Sequence, residues 1–162
     1  MQLVLILKLL VLLSLANGSP VLVKKVCGDR LSQPIDVGLR FFDRRRVFGP
    51  SKTIRGALVS VALTTAAAPL LGMEATSGAL AGSMAMVGDL FSSFVKRRLD
   101  FAPSSRATGL DQIPESLFPL LACRCSLSLS ALDILIGVAA FSIGAICLSP
   151  ILNRVGLRDR PF

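Results

Sequence analysis

The chain has 162 residues, 52% of them hydrophobic, with a mean hydropathy of +0.69 and a formal net charge of +8. A soluble domain of this size rarely has so large an apolar share, so the composition indicates a membrane protein. Histidine, tryptophan and tyrosine are absent, which excludes imidazole catalysis and leaves little for stacking on nucleic-acid bases. Catalysis would therefore depend on carboxylates, Lys, Arg and a metal, and no nucleic-acid partner is predicted.

Apolar runs alternate with segments rich in Arg, Lys, Asp, Gly and Pro. The runs lie at about 1–17, 55–73, 77–95, 113–122 and 129–151. A full crossing takes ~20 residues, so the first and fourth runs are short, and the fourth either re-enters the membrane or continues through Arg124. The pattern predicts one all-α integral membrane domain over 1–162, with about five transmembrane or re-entrant helices and site loops at 24–56 and 96–112.

Lysine and arginine are distributed very unevenly. Nine lie between residues 19 and 56, four between 96 and 112, and three after 153, with Lys8 and Arg124 as the exceptions. Five crossings would place these three segments on one face, and cytoplasmic loops next to short spans retain Lys and Arg. We expect a multi-pass protein of the cell inner membrane or another plasma membrane, with its amino terminus outside and its active face cytoplasmic.

An alternative interpretation of the first run is a cleaved signal peptide, because its leucine-rich core is followed by Ala16-Asn17-Gly18-Ser19. However, no basic segment precedes the core, and Lys8 interrupts it. Cleavage would also leave the following basic stretch outside the cell, against the charge asymmetry. A resident first helix is the favoured interpretation.

A basic loop leads directly into the second run, with the sequence Phe48-Gly49-Pro50-Ser51-Lys52-Thr53-Ile54-Arg55-Gly56. Such a loop can direct backbone N–H groups and the amino end of the next helix at phosphate. A P-loop is excluded, because the preceding strand and the first glycine at the required spacing are missing. A positive membrane anchor would explain the charges of this loop but not its Gly, Ser and Thr.

The third run is dense in small residues. Gly78 and Gly82 have the spacing that lets another helix approach closely. Ordinary packing within the chain is sufficient to explain them, and the same face is compatible with a homodimer.

The third run also contains an acid, Asp89. On a helix it lies ~10 Å inside the loop boundary at Lys96, where an ionised carboxylate is costly and usually marks function. Ser92, Ser93 and Lys96 follow it at i+3, i+4 and i+7 on one helix face, and Arg97 is adjacent. This stripe is typical of a metal–nucleotide site, and an internal salt bridge with snorkelling cations explains it equally well.

The fourth run begins with two acids and an amide, in Leu110-Asp111-Gln112-Ile113-Pro114-Glu115. By itself this segment is typical of a helix start, with Asp111 as the cap and Pro114 near the first turn. Capping therefore explains it without any catalytic role.

Taken in order, these motifs resemble the CDP-archaeol synthase (CarS) family, which is itself similar to the bacterial phosphatidate cytidylyltransferases. The matching residues are Asp36-x-Gly38, Asp43 with Arg45 and Arg46, Phe48-Gly49-x-Ser51-Lys52-Thr53-x-Arg55-Gly56, Gly88-Asp89-x-x-Ser92-Ser93-Phe94-x-Lys96-Arg97-Arg98, and Leu110-Asp111-Gln112. Val37 and Arg44 depart from the family pattern, which usually has glycine there, and this bears on the backbone path of the first loop.

The resemblance implies an enzyme that transfers a cytidylyl group from CTP to a lipid phosphate, giving a CDP-activated lipid and pyrophosphate. The lipid phosphate already carries the oxygen that attacks the α-phosphorus, so neither histidine nor a covalent nucleophile is needed. The developing charge would need Mg²⁺ held by carboxylates, together with Lys and Arg. The lipid alcohol does not follow from the resemblance.

The resemblance also implies roles for individual residues. The predicted metal ligands are Asp89 and Asp111, with Asp36 as a third. The cations predicted to neutralise phosphates are Lys52, Arg55, Lys96 and Arg97. Hydroxyl contacts are predicted from Ser51, Thr53 and Ser93, and the lipid phosphate is assigned to Arg98 and Arg46.

Two other functions fit parts of the sequence. A non-catalytic membrane protein, whose basic cytoplasmic face binds anionic lipid or a partner, would need only the charge clusters. A small transporter would use Asp89 as its coupling acid. The transporter is less favoured, because Asp133 is the only candidate for a second acid in an apolar run.

Overall fold

In the computed structural model, the structure describes residues 2–28, 32–102, 105 and 107–154, and Arg30, Arg106, Arg158 and Arg160 lie outside this part. The helices here are α1 (Leu3–Cys27), α2 (Ile54–Leu70), α3 (Ala75–Arg98), α4 (Gln112–Ala122) and α5 (Ala131–Arg154). The extended pairings within the described residues are two isolated bridges, Pro34 with Thr53 and Arg40 with Arg46. The predicted all-α membrane fold is confirmed.

Helix length separates the membrane elements. Among the described residues, α1, α3 and the Ala131–Leu148 part of α5 are long and apolar enough to cross a membrane, and α2 is a shorter apolar helix of 17 residues. α4 has 11 residues, which at 1.5 Å each reach about 16 Å, roughly half of the hydrocarbon core. α4 ends at Ala122 and a turn follows, so the fourth run does not continue through Arg124 as a helix.

α1 continues to Cys27, beyond the predicted end of the first apolar run at 17, and it passes through Pro20. Proline has no N–H to donate to the carbonyl oxygen of Ala16 four residues earlier. The hydroxyl of Ser60 in α2 donates to that oxygen at 2.9 Å, and the hydroxyl of Ser19 donates at 3.3 Å. Ala16 and Ser19 are buried, so the segment resembling a cleavage site is packed inside the helix bundle.

α2 and α3 pack closely along the small residues of α3. A Cβ on Gly78 would overlap the carbonyl oxygen of Thr64 and the side chain of Ala68, and a Cβ on Gly82 would overlap the Thr64 hydroxyl. The glycine face is therefore covered by α2 of the same chain. It is not the free surface on which the homodimer prediction depended.

Successive helices run in opposite directions, so the carboxyl ends of α1 and α3 meet the amino ends of α2 and α4 at one end of the bundle. We call this the basic end. Arg55 in α2 donates to the carbonyl oxygen of Gly28, just after α1, at 2.9 Å. Arg45, in the loop before α2, donates to the carbonyl oxygens of Arg97 and Arg98 at 3.3 and 3.2 Å, which joins the first loop to the end of α3.

At the opposite end, α5 begins with a capping box. The Ser130 N–H and hydroxyl donate to the Asp133 carboxylate at 3.1 and 2.7 Å, and the Asp133 N–H donates back to the Ser130 hydroxyl at 3.1 Å. The N–H of Gln2 also donates to Asp133, at 3.0 Å. Asp133 therefore has a capping role at the end away from Asp89, and the transporter hypothesis loses its second acid.

Candidate active site

Lys52 stands at the junction between the first loop and α2. The N–H of Ile35 donates to the Lys52 carbonyl oxygen at 2.8 Å. The hydroxyl of Thr53 accepts from the N–H of Gly56 at 3.2 Å and caps α2. These bonds fix the backbone on both sides of Lys52, so the fold itself directs its side chain toward α3.

The Lys52 ammonium contacts both carboxylate oxygens of Asp89, at 2.5 and 2.6 Å. Only 25% of the Lys52 side chain and 20% of the Asp89 side chain are exposed. Burial alone would lower the pKa of Lys52, but the charge and hydrogen bond of Asp89 outweigh burial, so this pKa stands above its ordinary value. Two predicted site residues from separate segments are thus brought together as an ion pair.

Glu115, in the first turn of α4, belongs to the same cluster. Its carboxyl lies beside that of Asp89 and also interacts with the charge of Lys52. α4 comes this close because Gly88 has no side chain, and a Cβ there would overlap the carbonyl group of Pro114.

Asp111 and Lys96 form the second ion pair of the site. The Lys96 ammonium lies 2.6 Å from an Asp111 oxygen and donates to the carbonyl oxygen of Ser105 at 2.9 Å. The other Asp111 oxygen accepts from the N–H of Ala107 at 3.1 Å. Asp111 directly precedes α4, but its side chain makes no capping bond. The predicted helix start is confirmed, whereas the predicted capping role of the Asp111 side chain is wrong.

The acids are arranged as a pair with a third nearby. Asp111 acts through its charge on both Lys52 and Glu115, so it lies at the same end of the bundle as Asp89. Within the part of the chain that the structure describes, no group of three or more acids or cysteines is placed to hold a metal ion. A metal would therefore need ligands from a substrate or from water to complete its coordination.

A cleft of about 310 Å³ opens at the basic end. Its lining residues are Arg45, Arg46, Gly49, Pro50, Arg97, Asp100, Phe101 and Ala102. Arg97 is 9% exposed, and one of its terminal N–H groups donates to the Ala102 carbonyl oxygen at 2.9 Å. Its Nε is buried without a partner among the described residues. An unpaired buried donor is costly, and an anion in the cleft would provide the missing acceptor.

Asp36, the predicted third metal ligand, is fully engaged in the first loop. Its carboxylate accepts from the N–H groups of Gly38 at 3.1 Å, Phe48 at 3.3 Å and Gly49 at 2.9 Å, and from Arg46 Nη2 at 3.2 Å. Burial would raise the pKa of Asp36, but these donors outweigh burial and hold the pKa below its ordinary value. The structure does not bring Asp36 into the Lys52 cluster through any of these bonds.

Arg46 and Arg98, predicted to hold the lipid phosphate, lie next to each other. Arg98 donates to the carbonyl oxygen of Arg46 at 2.8 Å and forms an ion pair with Asp43 at 3.0 Å. Arg46 forms its ion pair with Asp36 and is one third exposed. The Arg98 guanidinium is therefore held at the end of α3, whereas that of Arg46 is held by Asp36 in the first loop, and Arg46 also lines the cleft.

The remaining predicted residues are more dispersed. Arg55 points toward the end of α1, where it bonds Gly28. Ser93 is buried on α3, and Ser51 is exposed in the loop before Lys52. Their proposed phosphate and hydroxyl contacts stay predictions.

Glu115 had no predicted catalytic role, although its spacing from Asp111 indicates one. Glu115 follows Asp111 by four residues, so a helix starting there places both acids on one face. Arg45 was part of the family motif without an assigned role, and the structure shows that it bonds the end of α3 and lines the cleft. Its bonds to backbone carbonyl oxygens depend on tertiary structure, which no spacing in the sequence indicates.

Residues 71–162 match the CarS-like family, CDP-archaeol synthase. A CDP-archaeol synthase of Pyrobaculum islandicum is 32% identical over 145 residues, which cover 86% of this chain and 82% of the relative. That of Thermococcus onnurineus is 43% identical over 109 residues, covering 60% and 61%, and that of Saccharolobus islandicus is 35% identical over 104 residues, covering 61% and 59%. The chain thus spans about three fifths of the last two relatives.

One solved structure is also similar, that of an intramembrane enzyme for archaeal membrane lipid biosynthesis. The TM-score is 0.70 at 27% sequence identity, and the alignment covers 86% of this chain and 91% of that one. This likeness therefore extends beyond residues 71–162 into the amino-terminal half.

Proposed function

The chain belongs to the CarS-like family of CDP-archaeol synthases, and on this premise we propose that it transfers the cytidylyl group of CTP to the phosphate of a membrane lipid. A lipid phosphate oxygen forms a bond to the α-phosphorus of CTP. The bond from the α-phosphorus to the oxygen bridging to the β-phosphate breaks, and pyrophosphate leaves. Because the attacking oxygen is already anionic, no side chain has to remove a proton from it.

The observation that best supports this proposal is the convergence of Lys52, Asp89 and Glu115. They come from the first loop, α3 and α4. At the basic end of a bundle of membrane helices, Lys52 contacts Asp89 and Glu115 lies close enough to interact with the charges of both. A structural salt bridge would need only one acid for Lys52. The second acid beside this pair is the feature that a purely structural role leaves unexplained.

The donor set fits a Mg²⁺ ion that arrives with CTP. Mg²⁺ in phosphoryl-transfer sites is commonly bound through one or two carboxylates plus phosphate oxygens and water, so Asp89 and Glu115 are sufficient. We assign these two acids as ligands, with Asp111 adding negative charge and Asp36 kept in the loop. When bound, the ion would offset the charge of the triphosphate.

The cations have separable tasks. Lys52 is held by Asp89 in the structure, and a triphosphate at Asp89 would give its ammonium a second anionic partner. Arg97 lines the arginine-rich cleft, and a rotation of its side chain would let its buried, unpartnered Nε donate to a phosphate oxygen there. Lys96 keeps Asp111 and the backbone of Ser105 in place through its two bonds. Arg46, at the cleft, is assigned to the lipid phosphate together with Arg98.

The test is an assay of pyrophosphate release by the full chain in nanodiscs, with CTP, Mg²⁺ and a lipid phosphate. Ether-linked and ester-linked acceptors are compared in parallel, because membership of the family does not specify the lipid alcohol. We expect Glu115→Gln to lower the rate about 100-fold, as removal of one charge-stabilising group does. The matched control is Glu74→Gln, because Glu74 precedes α3 at the opposite end.

Two outcomes would contradict the proposal. If Glu115→Gln releases pyrophosphate as fast as Glu74→Gln, the carboxyl pair is not catalytic. If no nucleotide and acceptor combination gives turnover, while vesicle binding falls in a graded, salt-sensitive way as any few arginines are neutralised, the non-catalytic lipid-binding alternative is correct.

We also propose that the basic end faces the cytoplasm of a plasma membrane, in accord with the distribution of Lys and Arg. Cys27 and Cys125 are both exposed. Cys27 is the last residue of α1, at the basic end, and Cys125 follows α4 at the other end. Single-cysteine variants in intact cells should react with a membrane-impermeant maleimide at Cys125 but not at Cys27. Labelling of Cys27 but not of Cys125 would contradict this orientation and show that the basic end faces outward.

A further inference from the structure

Residues 39–47 of the first loop form a small hairpin, which we call the Phe42 hairpin. The N–H of Phe41 donates to the carbonyl oxygen of Arg45 at 2.8 Å, and the N–H of Val47 donates to that of Leu39 at 3.1 Å. The N–H of Arg45 also donates to the Asp43 side chain at 3.0 Å. These bonds give the tip, Phe42 to Arg44, a defined conformation.

The hairpin is attached to the end of a candidate membrane-spanning helix. Arg45 donates to the carbonyl oxygens of the last residues of α3. Arg98, the last residue of α3, lies 4.9 Å from the ring centres of both Phe41 and Phe94 and pairs with Asp43. Because α3 qualifies as a membrane crossing, its end fixes the hairpin close to the boundary between bilayer and water.

The Phe42 hairpin exposes apolar and basic side chains together. Phe42 is 96% exposed and Leu39 is 66% exposed, and Arg40 and Arg44 are exposed beside them. An exposed phenyl ring is unfavourable in water, because moving apolar surface into an apolar environment lowers the free energy. Aromatic rings with neighbouring arginines are the composition of segments that lie in the headgroup region of a membrane.

We propose that the Phe42 hairpin inserts Phe42 into the bilayer leaflet at the basic end and that Arg40 and Arg44 bind anionic lipid headgroups there. A second copy of the chain is the less suitable occupant, since two such hairpins would bring their arginines together at like charge. This lipid contact would form whether or not the chain transfers a cytidylyl group. The roles predicted from the family motif do not include it.

The chain has no tryptophan or tyrosine, so Phe42→Trp creates a single fluorescent reporter at the tip. The full-length variant is reconstituted in vesicles of zwitterionic lipid, with and without phosphatidylglycerol. Quenching by brominated lipid is compared with quenching by aqueous iodide. We expect several-fold stronger quenching by brominated lipid than by iodide, and a further shift of emission to shorter wavelength when anionic lipid is present.

Two matched variants make the result specific. Adding Arg40→Gln and Arg44→Gln to Phe42→Trp should abolish the dependence on anionic lipid. Phe91→Trp, at a partly exposed position within α3, should be quenched by brominated lipid whatever the lipid charge. Circular dichroism of each variant checks that the helices are retained.

The proposal is overturned if the tryptophan of Phe42→Trp is quenched by iodide and not by brominated lipid. It is equally overturned if its emission changes with the protein-to-lipid ratio but not with lipid charge, because that result identifies a second copy as the occupant. Dependence on anionic lipid that survives removal of both arginines would contradict their assignment as the headgroup contacts.

Discussion

Asp36 and Asp89 are two largely buried acids at the basic end, and their hydrogen-bond partners differ in kind. Asp36 accepts from three backbone N–H groups and one arginine, all within the first loop. The donor described for Asp89 is the side chain of Lys52, and the carboxyl of Glu115 lies beside them; both residues come from other elements. Backbone donors cannot leave without unfolding the loop, whereas side chains can rotate toward a ligand.

Burial and charge alone therefore do not identify a functional acid at a membrane surface. A carboxylate that accepts from backbone N–H groups has a structural role, because those donors cannot move to another acceptor. A carboxylate that is paired with a lysine and lies beside a second carboxyl has neighbours that can also bind a phosphate and a cation. The origin of the donors therefore separates the two acids that the family motif placed together as metal ligands.

The largest effect should come from Asp89→Asn. We expect kcat for pyrophosphate release to fall at least about 100-fold, because the change removes a charged ligand while keeping the side-chain shape. Asp36→Asn should mainly lower thermal stability, and it should reduce kcat much less than Asp89→Asn does. Turnover and thermal unfolding, measured on both variants in one detergent, test this contrast. Proportional losses of activity and stability in both variants would contradict it.

Gly88→Ala should give the next largest effect, without altering any charge. The added methyl group would overlap the carbonyl of Pro114, so α4 must move and take Glu115 away from Asp89. A displacement of about 1 Å at a catalytic group can cost up to about 100-fold in rate, and we expect a 10- to 100-fold loss.

The matched control for Gly88→Ala is Gly144→Ala in α5, where a Cβ would meet nothing within 4 Å. It should retain activity, because it adds the same methyl group to a helix without a close neighbour. Equal activity of the two variants would mean that the approach of α4 is not needed for the reaction.

The fold was predictable because apolar runs between basic segments are a strong signal, and the helices of the described residues follow those runs. The end of α1 was not predictable from residues 17–20, since their glycine, serine and proline normally interrupt a helix. Ser60 replaces the bond that Pro20 removes, and a tertiary contact of this kind leaves no trace in local sequence.

The site was predictable in part. Asp89 was identified by its position in an apolar run, and Lys52 by its place in a loop before a helix. Their ion pair joins positions 37 residues apart, a distance over which sequence spacing carries no information. Glu115 was interpreted as part of a helix start, because its contact with Asp89 depends on the close approach of α4 at Gly88.

A smaller effect concerns the response of the first loop to acid. The pKa of Asp36 is lowered by folding, so its contribution to stability is present above the ordinary aspartate pKa of about 3.9 and is lost as the pH falls through the folded value. Asp36→Asn should lower the free energy of unfolding by about 1–3 kcal/mol at pH 7. The difference from the parent chain should shrink below about pH 4. A difference that is constant down to pH 3 would exclude ionised Asp36 as its source.

The smallest effect should come from Val37→Gly, a stabilising change next to Asp36. Val37 has a φ of 44° and Arg44 a φ of 61°, and both stand where the family usually has glycine. The left-handed region costs a residue with a Cβ about 1–2 kcal/mol, partly offset by the greater freedom of glycine in the unfolded chain. Val37→Gly should therefore raise the free energy of unfolding by about 0.5–1 kcal/mol.

Val37→Ala is the control for this last change, because it keeps the Cβ and should gain little. The Asp36 carboxylate fixes this turn by accepting from the N–H of Gly38 and, across the loop, from those of Phe48 and Gly49. The gain from Val37→Gly should therefore diminish when Asp36→Asn frees the loop. A double-mutant cycle of thermal unfolding measures this coupling. Additive effects would mean that the left-handed turn forms without Asp36, and the contrast between an architectural and a catalytic acid would then depend on Asp89 alone.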